Sequence, residues 1–465
     1  MKDYTDFFKE IEVEHIFFGS GARNAPLLES LDFCDITHGY DERSLAFQAL
    51  GRAKLTKRPQ LVCTTSGTAV AECLPAVIEA YYSNLPLIIL SADRPKALKE
   101  THSPQTIKQE SILSDFCRSV AYDQPVEFKG FPIHINLSVN TEGLKSMAYQ
   151  TVNIDQVQFD LSQTLFLINK IEDSIFVQKL EKMIKEKNLI CYQEVESPLY
   201  KNHFQNEILY DEQVQDYLQK NIIKTIVRIG QTPNSKFWRL LNNKLAKVDV
   251  YHLNLRNKPA LGFGKIIPYE SRHDLLYKLD QIDILLESAK EFSINHVFER
   301  YPKSEASLFR EKIKQIDRPG EVLFIGNSMP IRYLKLIKPK HLKILANRGA
   351  NGIDGLIATA IGISKATTEN VHLILGDLSF QYDLSSLISA SAKNLHITVM
   401  NNYGGQIFKN IDVPNEIINH HHHNFSYLFK YFEESFAELN EIQCDNKETD
   451  LFWKDFNQIW GLEKC

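Results

Sequence analysis

Two apolar runs one crossover apart, Val371-His372-Leu373-Ile374-Leu375 and Leu395-His396-Ile397-Thr398-Val399-Met400, constrain this chain more than any other feature. Short, nearly continuous apolar runs read as strands buried on both faces, the pattern of parallel sheets. Residues 379–393 between them have helical spacing, which makes one strand-helix-strand unit. Gly376-Asp377-Leu378-Ser379 follows the first strand and Asn401-Asn402-Tyr403-Gly404-Gly405 the second. Asp377 and Asn402 are therefore expected side by side at the carboxyl edge of a parallel sheet, where open α/β sheets bind ligands. A carboxylate, an amide oxygen and the Gly404 carbonyl are hard oxygen donors suited to Mg2+, with Mn2+ possible, and Mg2+ completes its shell with waters and phosphate oxygens. The implied ligand is a diphosphate. The plainer alternative is a unit closed by turn-forming Asn and Gly.

The rest of the chain repeats this alternation. Strands are expected at 14–19, 60–64 and 86–90, helices at 24–31 and 69–82, and a last strand at 131–136, giving a doubly wound α/β domain over residues 1–156. Residues 157–295 carry a charged amphipathic helix at 179–187 and strands near 188–192, 222–229 and 248–253, a reduced second α/β domain without a catalytic motif. A long helical pattern at 294–316 leads into a third domain, 296–465. There Gly326-Asn327-Ser328-Met329-Pro330-Ile331-Arg332 follows one strand, and Asn347-Arg348-Gly349-Ala350-Asn351-Gly352-Ile353-Asp354-Gly355 follows another. The second turn can present backbone N–H groups to an anion, or can simply need flexible backbone. A length of 465 residues agrees with three domains, since one domain takes about 100–200.

No apolar run approaches the roughly 20 residues that span a bilayer, and the start Met1-Lys2-Asp3-Tyr4-Thr5-Asp6 is polar and acidic rather than a secretory signal. A cytoplasmic protein is expected. A net charge of -5 without a long Lys/Arg run argues against nucleic acid as a partner. Seven scattered cysteines lack Cys-x-x-Cys spacing and read as reduced core residues. The run His420-His421-His422-His423 reads as a polar loop rather than a metal site.

Gly-Asp followed one crossover later by Asn-Asn resembles thiamine diphosphate enzymes, and Gly376-Asp377-Leu378-Ser379 with Asn401-Asn402-Tyr403-Gly404-Gly405-Gln406-Ile407-Phe408 resembles one branch, the MenD family of 2-succinyl-5-enolpyruvyl-6-hydroxy-3-cyclohexene-1-carboxylate synthases of menaquinone biosynthesis. Gly19-Ser20-Gly21-Ala22-Arg23-Asn24, His38-Gly39-Tyr40-Asp41-Glu42-Arg43, Thr65-Ser66-Gly67-Thr68 and Ser91-Ala92-Asp93-Arg94-Pro95 extend the likeness almost unbroken over residues 16–109. The resemblance implies three doubly wound domains of the thiamine diphosphate enzyme type, binding the pyrimidine in the first and the diphosphate in the third. It implies Glu42 as the acid on the aminopyrimidine ring, although an acid there also suits a helix N-terminus. Gly349, Gly352, Ile353, Gly376, Asp377, Leu378, Ser379, Asn402, Gln406, Ile407 and Phe408 are implied at the coenzyme, with Asp377, Asn402 and Gly404 on its cation.

The activity implied is decarboxylation of 2-oxoglutarate and addition of the resulting carbanion to isochorismate. Ser328, Arg332 and Arg348 match positions at the donor's distal carboxylate, and Arg23, Arg94, Gln105 and Lys236 match positions at the acceptor. Three neighbours depart from the family: Ala22 for Ser, Pro104 for Asn, and Phe237 for the second of a basic pair. A relative using another acceptor, and a non-catalytic paralogue, are the alternatives. A homodimer or homotetramer is implied, with the coenzyme between subunits.

Overall fold

The computed structural model describes residues 5–21, 23–31, 33–93, 107–119, 131–137, 153–231, 233, 235, 237–238, 241, 248–255, 265–282, 293–410 and 414–459. Three sheets follow one another along the chain. The first contains β1 (His15–Gly19), β2 (Asp35–Gly39), β3 (Gln60–Thr64), β4 (Leu87–Ala92), β5 (Arg118–Ser119) and β6 (Ile133–Leu137), in the order β2-β1-β3-β4-β6-β5. The second contains β7 (Thr164–Ile168), β8 (Cys191–Gln193), β9 (Glu207–Ile208), β10 (Thr225–Ile229), β11 (Asp249–Leu253) and β12 (Lys265–Ile267), ordered β12-β11-β10-β7-β8-β9. The third contains β13 (Val322–Ile325), β14 (Lys343–Ala346), β15 (Val371–Gly376), β16 (Ala392–Asn401) and β17 (Phe436–Gln443), ordered β14-β13-β15-β16-β17.

Every pairing is parallel. Strands such as β3, β4, β7 and β13 are buried at every residue, as strands covered on both faces must be. The middle sheet, expected to be reduced, has as many strands as the first; its economy lies in strand length, with only two residues in β9. Strand order reverses between β1 and β3, between β7 and β10, and between β13 and β15. Crevices at such reversals, beyond the carboxyl ends of the strands, are where doubly wound sheets take ligands.

Four helical expectations are corrected. The pattern at 379–393 forms two short helices, Asp377–Tyr382 and Ser385–Ser389, and Lys393 already belongs to β16. The break is held by Asp383, whose buried carboxylate receives Ala358 N at 2.9 Å and the Ser386 hydroxyl at 2.9 Å and pairs with Arg43 at 3.1 Å. The pattern at 294–316 splits into Asn295–Arg300 and Glu305–Ile316. Pro302 in the gap has no N–H to continue a helix, and Ser304 starts the second one by accepting Ser307 N at 3.3 Å. Residues 69–82 likewise divide into Thr68–Glu72 and Leu74–Ser83, with Pro75 in the first turn of the second helix. The helix expected at 24–31 is the tighter 3-10 form, Ala25–Leu31.

The first and third sheets meet through the helices Glu42–Thr56 and Leu356–Ser364. A Cβ on Gly51 would stand 2.0 Å from Thr359 O, and one on Gly362 would stand 1.9 Å from Gln48 O. The two glycines let the backbones touch, and larger side chains there would separate the layers. Among the described residues no helix is long and apolar enough to cross a membrane, and the cysteines are free, most of them buried.

Candidate active site

β15 and β16 run in register with Gly376 opposite Met400, so Asp377 and Asn402 leave adjacent strands together. Asp377 is 2% exposed. Its Oδ1 accepts Leu378 N at 2.7 Å, and its Oδ2 accepts Gly404 N at 2.9 Å and lies 3.1 Å from His421 Nε2. Burial raises this carboxyl above the usual aspartate value, while the Gly404 and Leu378 N–H groups and His421 oppose the rise. Gly404, at φ +133, folds the chain back over the carboxylate. Gln406 Nε2 and Asn446 Nδ2 both donate to Asn402 O, at 3.0 and 2.9 Å, and fix the backbone of the turn. Leu378 and Ser379 open the helix after Asp377, while Ile407 packs on the third sheet's core and Phe408 folds back against Gly405.

Asn402 Nδ2 donates to Glu305 Oε2 at 2.9 Å, which leaves Asn402 Oδ1 buried with no hydrogen-bond partner. An amide oxygen stranded beside a buried carboxylate costs free energy unless something positive meets both. A hard divalent cation is the group that fits, with one carboxylate, one amide oxygen and a turn carbonyl as its protein donors.

Glu305 carries no motif, and the sequence reading missed it. Its carboxyl also accepts from Tyr333 at 3.2 Å, and full burial pushes it up to about 7 from the ordinary 4.5. A carboxyl raised in the folded state stabilises below its unfolded pKa and loses that contribution as pH rises through the folded one. Metal-free protein should therefore lose up to about 3 kcal/mol of stability from this residue between pH 4.5 and 7. Urea melts at pH 5 and 8 should show that dependence reduced in Glu305→Gln; an unchanged dependence would discard the assignment. His421 was also missed, because a histidine run reads as solvated polar sequence. Its side chain is 8% exposed and sits on Asp377.

At the first sheet, Glu42 begins a helix capped by Asp41, whose side chain accepts Ser44 N at 2.9 Å. Partial burial raises the Glu42 carboxyl, and the nearby Asp41 and Glu72 carboxylates push it the same way. Its neighbours bind the third sheet's layer: Asp41 accepts from Ser385 at 2.9 Å, and Arg43 pairs with Asp383. Arg23 donates to the Ser66 hydroxyl at 2.5 Å, at the carboxyl end of the same sheet.

The residues expected at the donor lie together beyond β13 and β14. Ser328, at φ +72, stands three residues beyond β13 and precedes the helix Met329–Ile337, and its carbonyl accepts from Arg332. Arg348 donates to Asn327 Oδ1, while Asn327 Nδ2 holds Asn347 O at 2.9 Å and Gly352 O at 2.7 Å. Strained φ at a non-glycine residue is found where a site holds it. Ile353 is 40% exposed on this turn. The anion that meets the Gly349 N–H is the carboxylate of Glu79, at 3.0 Å.

Arg94, Gln105 and Lys236 lie outside the described residues, as do Ala22 and Pro104. Phe237 is wholly buried, edge-on to Tyr192 at 5.2 Å in the middle sheet's core.

A family model described as the N-terminal TPP-binding domain of thiamine pyrophosphate enzymes matches residues 3–112. A 2-succinyl-5-enolpyruvyl-6-hydroxy-3-cyclohexene-1-carboxylate synthase of Bdellovibrio bacteriovorus is 31% identical, with 96% of this chain and 96% of that protein covered. The synthase of the same name from Staphylococcus aureus is 27% identical, covering 92% of this chain and 88% of its own length. A solved structure from Mycobacterium smegmatis, assigned to the thiamin diphosphate-dependent enzymes, superposes with a TM-score of 0.66 at 13% identity, covering 96% of this chain and all of that one. That likeness establishes the fold.

Proposed function

The chain belongs to the MenD family of 2-succinyl-5-enolpyruvyl-6-hydroxy-3-cyclohexene-1-carboxylate synthases, and from that premise we infer that it decarboxylates 2-oxoglutarate and joins the four-carbon remainder to isochorismate in menaquinone biosynthesis. The observation that carries the reading is the corner where Asp377 and the unpartnered Asn402 Oδ1 leave adjacent strands beside the strand reversal of the third sheet. Thiamine diphosphate, when bound, supplies the nucleophilic carbon and the electron sink for decarboxylation. Asp377, Asn402 Oδ1 and Gly404 O would hold its Mg2+, or Mn2+, and Gly376, Leu378, Ser379, Gln406, Ile407 and Phe408 would shape the surrounding wall. Gly352 and Ile353 approach from the turn after β14. Glu42 would share a proton with the aminopyrimidine ring, a task that suits a carboxyl whose pKa burial has raised.

Ser328, Arg332 and Arg348 receive the donor's distal carboxylate, since planar guanidinium groups match carboxylates. The acceptor is assigned to Arg23, Arg94, Gln105 and Lys236 by their match to the family's positions. We place the domain boundaries at 156/157 and 295/296. The working unit is at least a dimer: Tyr40, Tyr382 and Ile388, at 68%, 60% and 69% exposure, lie on the segments joined through Asp41, Arg43 and Ser44 and offer surface to a second copy. Small, soluble, anionic substrates fit a cytoplasmic location. The alternative of a different acceptor is favoured by one observation: Phe237, where the family has a basic residue, is buried in the middle sheet's core and offers a ligand no polar contact.

The test is carbon dioxide release from 2-oxoglutarate with Mg2+ and coenzyme. Isochorismate should accelerate it and appear in the product mass. Release that isochorismate leaves unchanged would hand the donor half to another acceptor, and no release at all would sink the reading.

A further inference from the structure

The turn 347–355 is gripped by the first domain. Glu79, on the helix Leu74–Ser83, accepts Gly349 N on Oε1 at 3.0 Å and Ala350 N on Oε2 at 2.7 Å. The Ser83 hydroxyl donates to Oε1 at 2.8 Å. Lys54, from the helix Glu42–Thr56, faces the same carboxylate at 3.6 Å and donates to Ala346 O at 2.6 Å, immediately before the turn. Both side chains are buried, Glu79 at 3% and Lys54 at 2% exposure. The approach is too close for any side chain on Gly349, since a Cβ there would stand 2.5 Å from Glu79 O. On the opposite flank Asn327 holds Asn347 O and Gly352 O and receives Arg348.

We propose that Glu79, backed by Lys54, is a positioning residue: it clamps the turn from the first domain and so sets where Arg348 stands for the donor's carboxylate. One carboxylate receiving two successive N–H groups fixes both the position and the rotation of the backbone it holds. The glycine at 349 is thereby explained by contact between domains. The role of Arg348 rests on the function proposed above; the clamp does not.

Glu79→Gln, made in the full chain with Mg2+ and thiamine diphosphate, replaces one acceptor oxygen by an N–H donor, so that one backbone N–H of the turn meets another donor. Amide hydrogen exchange over 347–355 should quicken by about tenfold or more, and KM for 2-oxoglutarate should rise by about tenfold with kcat much less affected, the worth of one charge-assisted hydrogen bond. The double variant Lys54→Met, Glu79→Gln removes the ammonium that has lost its carboxylate, together with its bond to Ala346 O, so the melting temperature should recover in part while KM and exchange stay altered. Glu79→Asp, which keeps both acceptor oxygens, should restore part of KM. Unchanged exchange in Glu79→Gln overturns the clamp whatever the substrate. A KM that returns together with the melting temperature in the double variant overturns the positioning role. Faster exchange in a protein whose parent releases no carbon dioxide would support the clamp and sink the donor reading alone.

Discussion

Glu42→Gln is expected to fold, bind thiamine diphosphate with Mg2+, and lose about 10²–10⁴-fold in turnover, the contribution of a positioned acid–base group. The amide keeps the shape of the side chain and its place at the start of the helix Glu42–Thr56, so the Asp41 cap and the contacts of Arg43 and Ser44 with the third layer should persist. What it cannot do is give and take a proton. Burial already raises the Glu42 carboxyl, with Asp41 and Glu72 adding to the rise, which prepares it to share a proton with a ring nitrogen. Calorimetric uptake of the coenzyme beside carbon dioxide release separates the two effects. Full turnover in the variant would remove Glu42 from the chemistry.

Asp377→Asn should produce the opposite pairing of effects, loss of coenzyme uptake without loss of fold. The amide keeps the shape and relieves a buried charge, but sets its NH2 against one of the two backbone N–H groups that the carboxylate accepts, so the metal-free protein should stay folded with a modestly lower melting temperature. Mg2+-dependent binding of thiamine diphosphate should weaken by more than about 100-fold, since loss of an outer partner of a metal ligand already costs up to that much. Titration calorimetry with Mg2+ at a fixed level reads this directly. Uptake within a few-fold of the parent would show that the cation is held elsewhere.

Asp377 was legible in the sequence for a local reason, whereas Glu42, which alone reads as an acid at a helix start, was singled out by the family resemblance. Asp377 and Asn402 each follow a short apolar run, and parallel strands one crossover apart bring their carboxyl ends to one edge. The register of β15 and β16 needs no distant contact to place them. Most strands of the three sheets were legible for the same reason, because burial on both faces writes a continuous apolar signal; β5, β9 and β12, two or three residues long, the part-exposed β17, and β7 were not read from the sequence. Helix lengths were less so: periodicity ran across the gap at Pro302 and across Asp383, where a cap and a buried carboxylate break the helices.

Glu305, His421 and Glu79 were beyond the sequence. Each acts on a residue far along the chain, Glu305 on Asn402, His421 on Asp377 and Glu79 on Gly349, and none has a spacing that marks it. Glu79 lies in an ordinary amphipathic helix, and Glu305 looks like any acid in a first turn. Sequence by itself determined the alternating α/β class, most of the longer strands and which side chains stand at their ends, because those follow from hydrophobic period and turn chemistry. Only the tertiary structure decided which buried polar atom is satisfied and by what, because that depends on packing between elements from 44 to 270 residues apart in the chain.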